Sequence, residues 1–257
     1  MNGNFVSLKQ RLKEDKPLFG TFVKLPRPEV VEVLALAGLD FIICDLEHSQ
    51  MDEDGARAVI LAGRAVGLPV VVRIPDIERG LINRLLEAGA CGLQVPRVRN
   101  RDDVVRLREL VFYSPEGSRS ISLTNPAAGY GLKPLAEYMA EVKDQVVLIG
   151  QFETAQIGDG PLEHALTGLD IAFIGLFDLS VDLGTPGRFD VPEVNEWLGR
   201  LERAAKAAQV VLGTFAPNPD YAWQAVAKGY RYIALESDLA ILQRSFRNLL
   251  RAVKDFT

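Results

Sequence analysis

The tetrapeptide Asp45-Leu46-Glu47-His48 puts three ionisable side chains within four residues, directly after the apolar run Phe41-Ile42-Ile43-Cys44. Four apolar residues bounded by turn residues read as a strand buried on both faces. Charges at its end are tolerated only where the strand opens toward solvent, so this end reads as the start of an active site. Other polar residues close similar runs: Arg73, Gln151, Glu153, Asp178 and Glu236.

Each suits a definite chemistry. His48 is one of two histidines and follows Asp45 by three residues, and a carboxylate can orient an imidazole and raise its basicity. His164, in the helical run Pro-Leu-Glu-His-Ala-Leu, reads as a solvated helix position and receives no role. Arg73 ends Val-Val-Val-Arg, where a guanidinium can stabilise an oxyanion or grip a carboxylate, and equally can pair with a neighbouring strand-end acid. Glu153 and Asp178 end consecutive units. Two carboxylates with open positions suit Mg2+ or Mn2+, with water and substrate completing the shell. Either residue is equally at home capping the helix that follows. No His/Cys cluster suited to zinc is present.

A recurrent punctuation supplies the elements behind these residues. Gly38, Gly89, Gly168 and Gly229 each follow an Ala/Leu-rich helical run and precede an apolar strand, and glycine is the usual left-handed helix stop. Strands are expected near 18–24, 40–45, 69–74, 91–96, 146–152, 170–175, 209–214 and 231–236. Helices are expected near 28–37, 53–66, 79–88, 101–111, 133–143, 155–166, 191–208, 218–228 and 238–254. Eight strands alternating with helices imply parallel pairing, and at this length the closed form is a (β/α)8 TIM barrel spanning residues 1–257 as one domain. A doubly wound sheet is the runner-up, but the first strand leads into Leu-Pro-Arg-Pro, with no glycine-rich phosphate turn. Two longer loops, Tyr113 to Gly131 and Gly184 to Pro192, are expected to follow strands and rim the mouth.

Composition narrows the partners. With 48% hydrophobic and 25% charged residues, the 257-residue chain fits a soluble globular protein. A net charge of -5 gives no basic footprint for nucleic acid, and no window is long and apolar enough for a membrane span. The first residues lack a secretory pattern. Cys44 and Cys91 lie in apolar strand-like runs and make no disulfide framework, which points to the cytoplasm.

Taken together, six pieces resemble the HpcH/HpaI aldolase family, the metal-dependent class II pyruvate aldolases. They are Asp45-Leu-Glu-His48, Val-Val-Arg73-Ile-Pro, the run from Leu85 to Pro96 that contains Glu87, Pro115-Glu-Gly-Ser-Arg119, Gln151-Phe-Glu153-Thr, and Gly175-Leu-Phe-Asp178-Leu-Ser180. They occur in the family's order along nearly the whole chain. The resemblance implies that Glu153 and Asp178 hold a divalent ion (Mg2+ or Mn2+, with Co2+ a further candidate) chelated by the keto oxygen and carboxylate of a pyruvate-type substrate. It implies that backbone amides from Gly175 through Leu176 to Phe177 receive that carboxylate, and that Gln151 lies beside the ion's water shell. Arg73 would stabilise the enolate oxygen. His48, oriented by Asp45, would move the acceptor hydroxyl's proton, and Glu87 would reach a neighbouring subunit's site. The expected partners are a small 2-keto acid and an aldehyde or keto acceptor. The expected assembly is a homohexamer, a trimer of dimers with helix 238–254 exchanged between subunits.

The expected reaction makes or cleaves 4-hydroxy-2-keto acids through a pyruvate enolate. No lysine stands at an expected strand end except Lys24, which argues against a Schiff-base aldolase. The chain departs from the family at Gly175-Leu176-Phe177, where Gly-Pro is common, at Ser120, where Gly is usual, and along 121–131. These changes fall on the acceptor half. A biosynthetic carboligase, such as a citrate synthase-like condensation on oxaloacetate in siderophore assembly, is therefore the alternative. A barrel that only binds a keto acid is disfavoured by five retained polar strand ends, and an acyl-CoA lyase by the lack of a basic patch.

Overall fold

All eight expected strands form, and each pairs in parallel with the next until the eighth returns to the first. The computed structural model describes residues 6–156 and 162–254. The strands are β1 (Leu18–Val23), β2 (Phe41–Asp45), β3 (Val70–Arg73), β4 (Gly92–Val95), β5 (Val147–Phe152), β6 (Ile171–Ile174), β7 (Val211–Ala216) and β8 (Tyr232–Ser237). The helices are α1 (Leu8–Arg11), α2 (Pro28–Leu36), α3 (Glu53–Val66), α4 (Arg79–Ala88), α5 (Arg101–Val111), α6 (Leu135–Gln145), α7 (Leu162–Leu166), α8 (Leu176–Asp182), α9 (Pro192–Ala208), α10 (Pro219–Ala227) and α11 (Asp238–Lys254). The result is a (β/α)8 barrel.

Side-chain alternation divides each strand between two cores. Phe41, Ile43, Val71, Val147, Ile149, Ile171, Phe173 and Tyr232 fill the barrel interior. Their neighbours Ile42, Cys44, Val70, Val72, Leu148 and Ala172 face the helices. Phe41 stacks on Tyr232 across the interior, with centroids 3.9 Å apart. Gly20 permits this, because a Cβ there would lie 2.3 Å from the Phe41 ring. Continued one step toward the C-terminal strand ends, the same alternation turns Asp45, Arg73, Gln94 and Gln151 to the barrel axis. The barrel pattern itself thus delivers polar side chains to the mouth.

Several expectations change. α1 was not anticipated, although Ser7 and Gln10 form a complete capping box and Leu8 and Leu12 close the strand-entry end of the barrel. The expected helix 155–166 is helical from Leu162, with residues 157–161 outside the described residues. The short α8 falls in a stretch for which no element was expected. The stretch from Tyr113 to Gly131 follows α5 rather than a strand and does not line the cleft at the mouth, although Ser120 accepts hydrogen bonds from Arg79 and Asn83 at the start of α4. It starts at the strand-entry end, with Ser118 N–H bonded to Glu109 O, and runs along α4, with Ala127 N–H on Glu87 O. The second loop stays near the mouth, where Phe189 packs edge-on against Phe177 at 5.0 Å.

α11 leaves the barrel surface. Asp238 is its one buried residue, accepting hydrogen bonds from the backbone N–H groups of Lys24 and Leu25. Beyond it Leu239, Leu242, Phe246, Leu249, Leu250 and Val253 form an exposed apolar stripe at helical spacing. No helix among the described residues is long and apolar enough to cross a membrane.

Candidate active site

Asp45 and Arg73 are register partners on adjacent strands, and their inward-facing side chains meet in a two-point ion pair. Arg73 Nε donates to Asp45 Oδ1 at 2.9 Å and Nη2 donates to Oδ2 at 2.8 Å. Lys24 Nζ approaches Oδ2 at 3.2 Å, and the backbone N–H groups of Glu47 and His48 donate to Oδ1 at 3.1 Å each. Asp45 is 0% exposed. Burial pushes its carboxyl up, but the Arg73 hydrogen bond and charge, the His48 amide and Lys24 outweigh that and hold it at about 2. Beneath Arg73 lies the Phe22 ring, 4.6 Å from Cζ, itself packed edge-on against Phe173. The guanidinium is fixed on two sides. Its third nitrogen, Nη1, faces Glu47 Oε2 at 3.3 Å.

The expected pairing of Asp45 with the His48 imidazole is not formed. Asp45 meets the His48 backbone N–H, and its oxygens are held by Arg73, Lys24 and the turn. The His48 side chain is 59% exposed, and the carboxylate beside its Nε2 is Glu47, at 3.8 Å. A tight turn just past β2 explains this: residue 48 bends back over residue 45 by its backbone and points its ring outward. Lys24 also donates to the His48 carbonyl at 2.7 Å, so it acts as a clamp on this turn.

Glu47 was named as a strand-end acid without a role. It now joins Glu153 and Asp178 in one cleft of about 180 Å³, together with His48, Arg97 and Asp182. Glu153 is buried, with Oε1 accepting from the Arg97 N–H at 2.9 Å and Oε2 accepting from the Gln151 amide. Gln151 in turn accepts from Gln94 Nε2 at 2.7 Å. This chain of amides fixes the carboxylate, and Gly175 makes room for it, since a Cβ there would lie 2.4 Å from Glu153 Oε2. Burial raises the Glu153 carboxyl above its ordinary value, with the Asp178 and Glu47 charges adding to the shift. Burial likewise raises Glu47, with Asp45 and Asp178 adding and Arg73 opposing.

These groups fit a hard divalent cation. All are oxygen donors, they repel one another, and Asp178 is exposed with no hydrogen bond or ion pair among the described residues. Among the described residues no group of three or more His, Cys, Asp or Glu side chains is placed to hold a metal ion by itself. Leu176 is the first residue of α8, and the first-turn amides of Leu176 and Phe177 lack intrahelical acceptors. At this position proline would lack the N–H that Leu176 keeps. Glu87 lies on α4 and does not line this cleft.

A model of the HpcH/HpaI aldolase/citrate lyase family matches residues 18–244. A hydroxypyruvate/pyruvate aldolase from Paraburkholderia phytofirmans is 34% identical over 255 residues, which cover 96% of this chain and 97% of that protein. The crystal structure of an HpcH/HpaI aldolase/citrate lyase family protein from Burkholderia cenocepacia superposes with a TM-score of 0.88 at 34% identity, covering 96% of this chain and 98% of that one. The citrate synthase SbnG superposes with a TM-score of 0.86 at 25% identity, covering 97% and 98%.

The depressed carboxyl of Asp45 stabilises the fold fully above the ordinary carboxylate range, and that contribution is lost as pH falls through about 2. Asp45→Asn removes the buried counter-charge of Lys24 and the two-point partner of Arg73 and should cost about 3 kcal/mol at neutral pH, read by urea unfolding. The gap to wild type should narrow as pH falls toward 2; a gap constant with pH contradicts this assignment.

Proposed function

The chain belongs to the HpcH/HpaI aldolase/citrate lyase family, and on that premise we propose that it is a divalent-metal-dependent aldolase that makes or cleaves 4-hydroxy-2-keto acids through a pyruvate enolate. One observation carries the reading: a fixed guanidinium and a cleft lined by the carboxylates of Glu47, Glu153, Asp178 and Asp182 share the C-terminal end of one barrel. That is the catalytic face of this fold.

Glu153 and Asp178 hold the cation (Mg2+, Mn2+ or Co2+), which when bound supplies Lewis-acid polarisation of the 2-keto group. The amides of Leu176 and Phe177 take the substrate carboxylate, as unsatisfied first-turn donors favour anions. Arg73 keeps positive charge where the enolate oxygen develops, with Asp45 and Phe22 preventing it from following the charge elsewhere. In cleavage, His48 removes the proton of the 4-hydroxyl, directly or through one water, with Glu47 rather than Asp45 steering its ring. The C3–C4 bond then breaks, the aldehyde leaves, and the electron pair remains as the enolate. Protonation at C3 yields pyruvate, and addition follows the same path in reverse. Lys24, ion-paired with Asp45, is not the amine of a Schiff base in this scheme.

The likeness to a citrate synthase supports a second reading, condensation on oxaloacetate, which uses the same enolate half and differs in acceptor. The free thiols Cys44, on β2, and Cys91, just before β4, fit a cytoplasmic location. Assembly is part of the proposal: a homohexamer built as a trimer of dimers, in which α11 packs on a neighbouring barrel and Glu87 reaches a neighbouring cleft. The apolar stripe on α11 supports this, since such a face needs a partner.

Phe246→Glu should therefore shift the protein to a smaller species in light scattering after size exclusion, with far-UV circular dichroism retained; an unchanged mass contradicts the exchanged helix. Glu153→Gln should weaken Mn2+ binding measured by calorimetry. It should also lower pyruvate release from a 4-hydroxy-2-keto acid by at least about 100-fold. Retention of both binding and turnover rejects the metal-site assignment.

A further inference from the structure

The His48 ring is exposed and its neighbour Glu47 stands 3.8 Å away, so its place over the cleft is set by the backbone that carries it. That backbone is held on both sides of the residue. The His48 N–H donates to Asp45 Oδ1 at 3.1 Å, and the His48 carbonyl accepts from Lys24 Nζ at 2.7 Å. Lys24 Nζ also lies 3.2 Å from Asp45 Oδ2, so one ammonium joins the two anchors of the turn.

Lys24 is itself fixed from behind. It directly follows β1, where the ladder with β8 is interrupted: Gly20 pairs with Ala234 and Phe22 with Ser237, which leaves one extra residue on β8. Glu236, in that irregular step, has φ 51°. A bulge ends regular pairing and re-aims the chain beside it. The backbone N–H groups beyond it, those of Lys24 and Leu25, find their acceptor in Asp238 Oδ2, at 3.0 and 2.9 Å. Asp238 is buried and is the first residue of α11. A continuous chain of contacts therefore runs from the root of α11 through Lys24 to the peptide that carries His48. Arg73 does not depend on it, since its two bonds to Asp45 are made by its own Nε and Nη2.

We propose that Lys24 is a positioning residue for His48, held in turn by Asp238, and that this chain serves the acceptor half of the reaction and not the enolate half. The inference rests on the aldolase reading, in which His48 takes the 4-hydroxyl proton while Arg73 keeps its charge at the enolate oxygen. A base displaced by about 1 Å loses on the order of 100-fold in rate, whereas a step that needs no base at that place keeps its rate.

Two reactions separate the halves. Cleavage of 4-hydroxy-2-oxopentanoate to pyruvate and acetaldehyde needs the hydroxyl proton removed. Decarboxylation of oxaloacetate breaks its C3–C4 bond with loss of CO2, leaves the electron pair as the same enolate, and has no hydroxyl proton to remove. With Mn2+ present, Lys24→Met should lower kcat for cleavage about 30-fold, with KM and the decarboxylation rate each within about threefold of wild type. Asp238→Ala, which keeps the Lys24–Asp45 pair, should show the same split at about tenfold, and it carries the test if Lys24→Met does not fold. Lys24→Arg, which keeps a cation and its donors at this place, should recover most of the cleavage lost in Lys24→Met. Loss of both reactions together, a rise in KM without a fall in kcat, or undiminished cleavage in Lys24→Met overturns the inference. A wild-type protein that lacks either reaction overturns the aldolase reading itself, and this inference with it.

Discussion

The Asp45–Arg73 pair ties the barrel to its chemistry. Both residues are the last of their strands, both face the axis, and the parallel register sets them side by side. A buried ion pair is weak evidence for stability, since desolvation opposes the attraction. Here the carboxylate also gathers Lys24 and two turn amides, so its removal would loosen β1, β3 and the turn that carries Glu47 and His48. The pair's second effect is directional. With Nε and Nη2 held by Asp45 and the guanidinium seated on Phe22, Nη1 is the donor left facing the cleft.

Opposite this fixed cation stands a group of acids with the reverse electrostatic character. Asp45 is held well below the carboxylate range because cations and an amide surround it, whereas Glu47 and Glu153 are raised by burial, with the Asp178 charge adding to both. Three carboxyl groups within one barrel mouth are thus divided by environment into an anion that organises the protein and a cluster that favours a cation. Gly175 and the Gln94–Gln151 amides keep Glu153 pointed into that cluster. The aromatic interior beneath them, Phe22, Phe41, Phe173 and Tyr232, excludes water from below.

Much of this was legible in the sequence because barrel strands write their pattern plainly. The apolar runs located every strand, and Asp45, Arg73 and Gln151, the polar residues that close the second, third and fifth runs, face the barrel axis. What escaped depends on short geometry. The turn after β2 reverses the direction of His48, so spacing alone suggested a contact with Asp45 that the backbone N–H makes instead. α8 has only seven residues, too few to show a helical period, and the stretch from Tyr113 to Gly131 begins where α5 has carried the chain back to the strand-entry end, a reversal that no residue in the stretch signals. Arg97 carries no motif that separates it from surface charges, and Glu47, although part of Asp45-Leu46-Glu47-His48, carries no chemistry of its own in that motif. The capping box of α1 was present as Ser7 and Gln10 and was a readable signal.

The central claim is that this mouth forms an enolate from a 2-keto acid before any acceptor takes part. Deuterium exchange from solvent into the methyl group of pyruvate, followed by NMR with Mg2+, Mn2+ or a chelator, tests it most directly. The account predicts exchange that requires the divalent cation and stops when it is removed. Absence of exchange with every cation, in a folded protein, would contradict it.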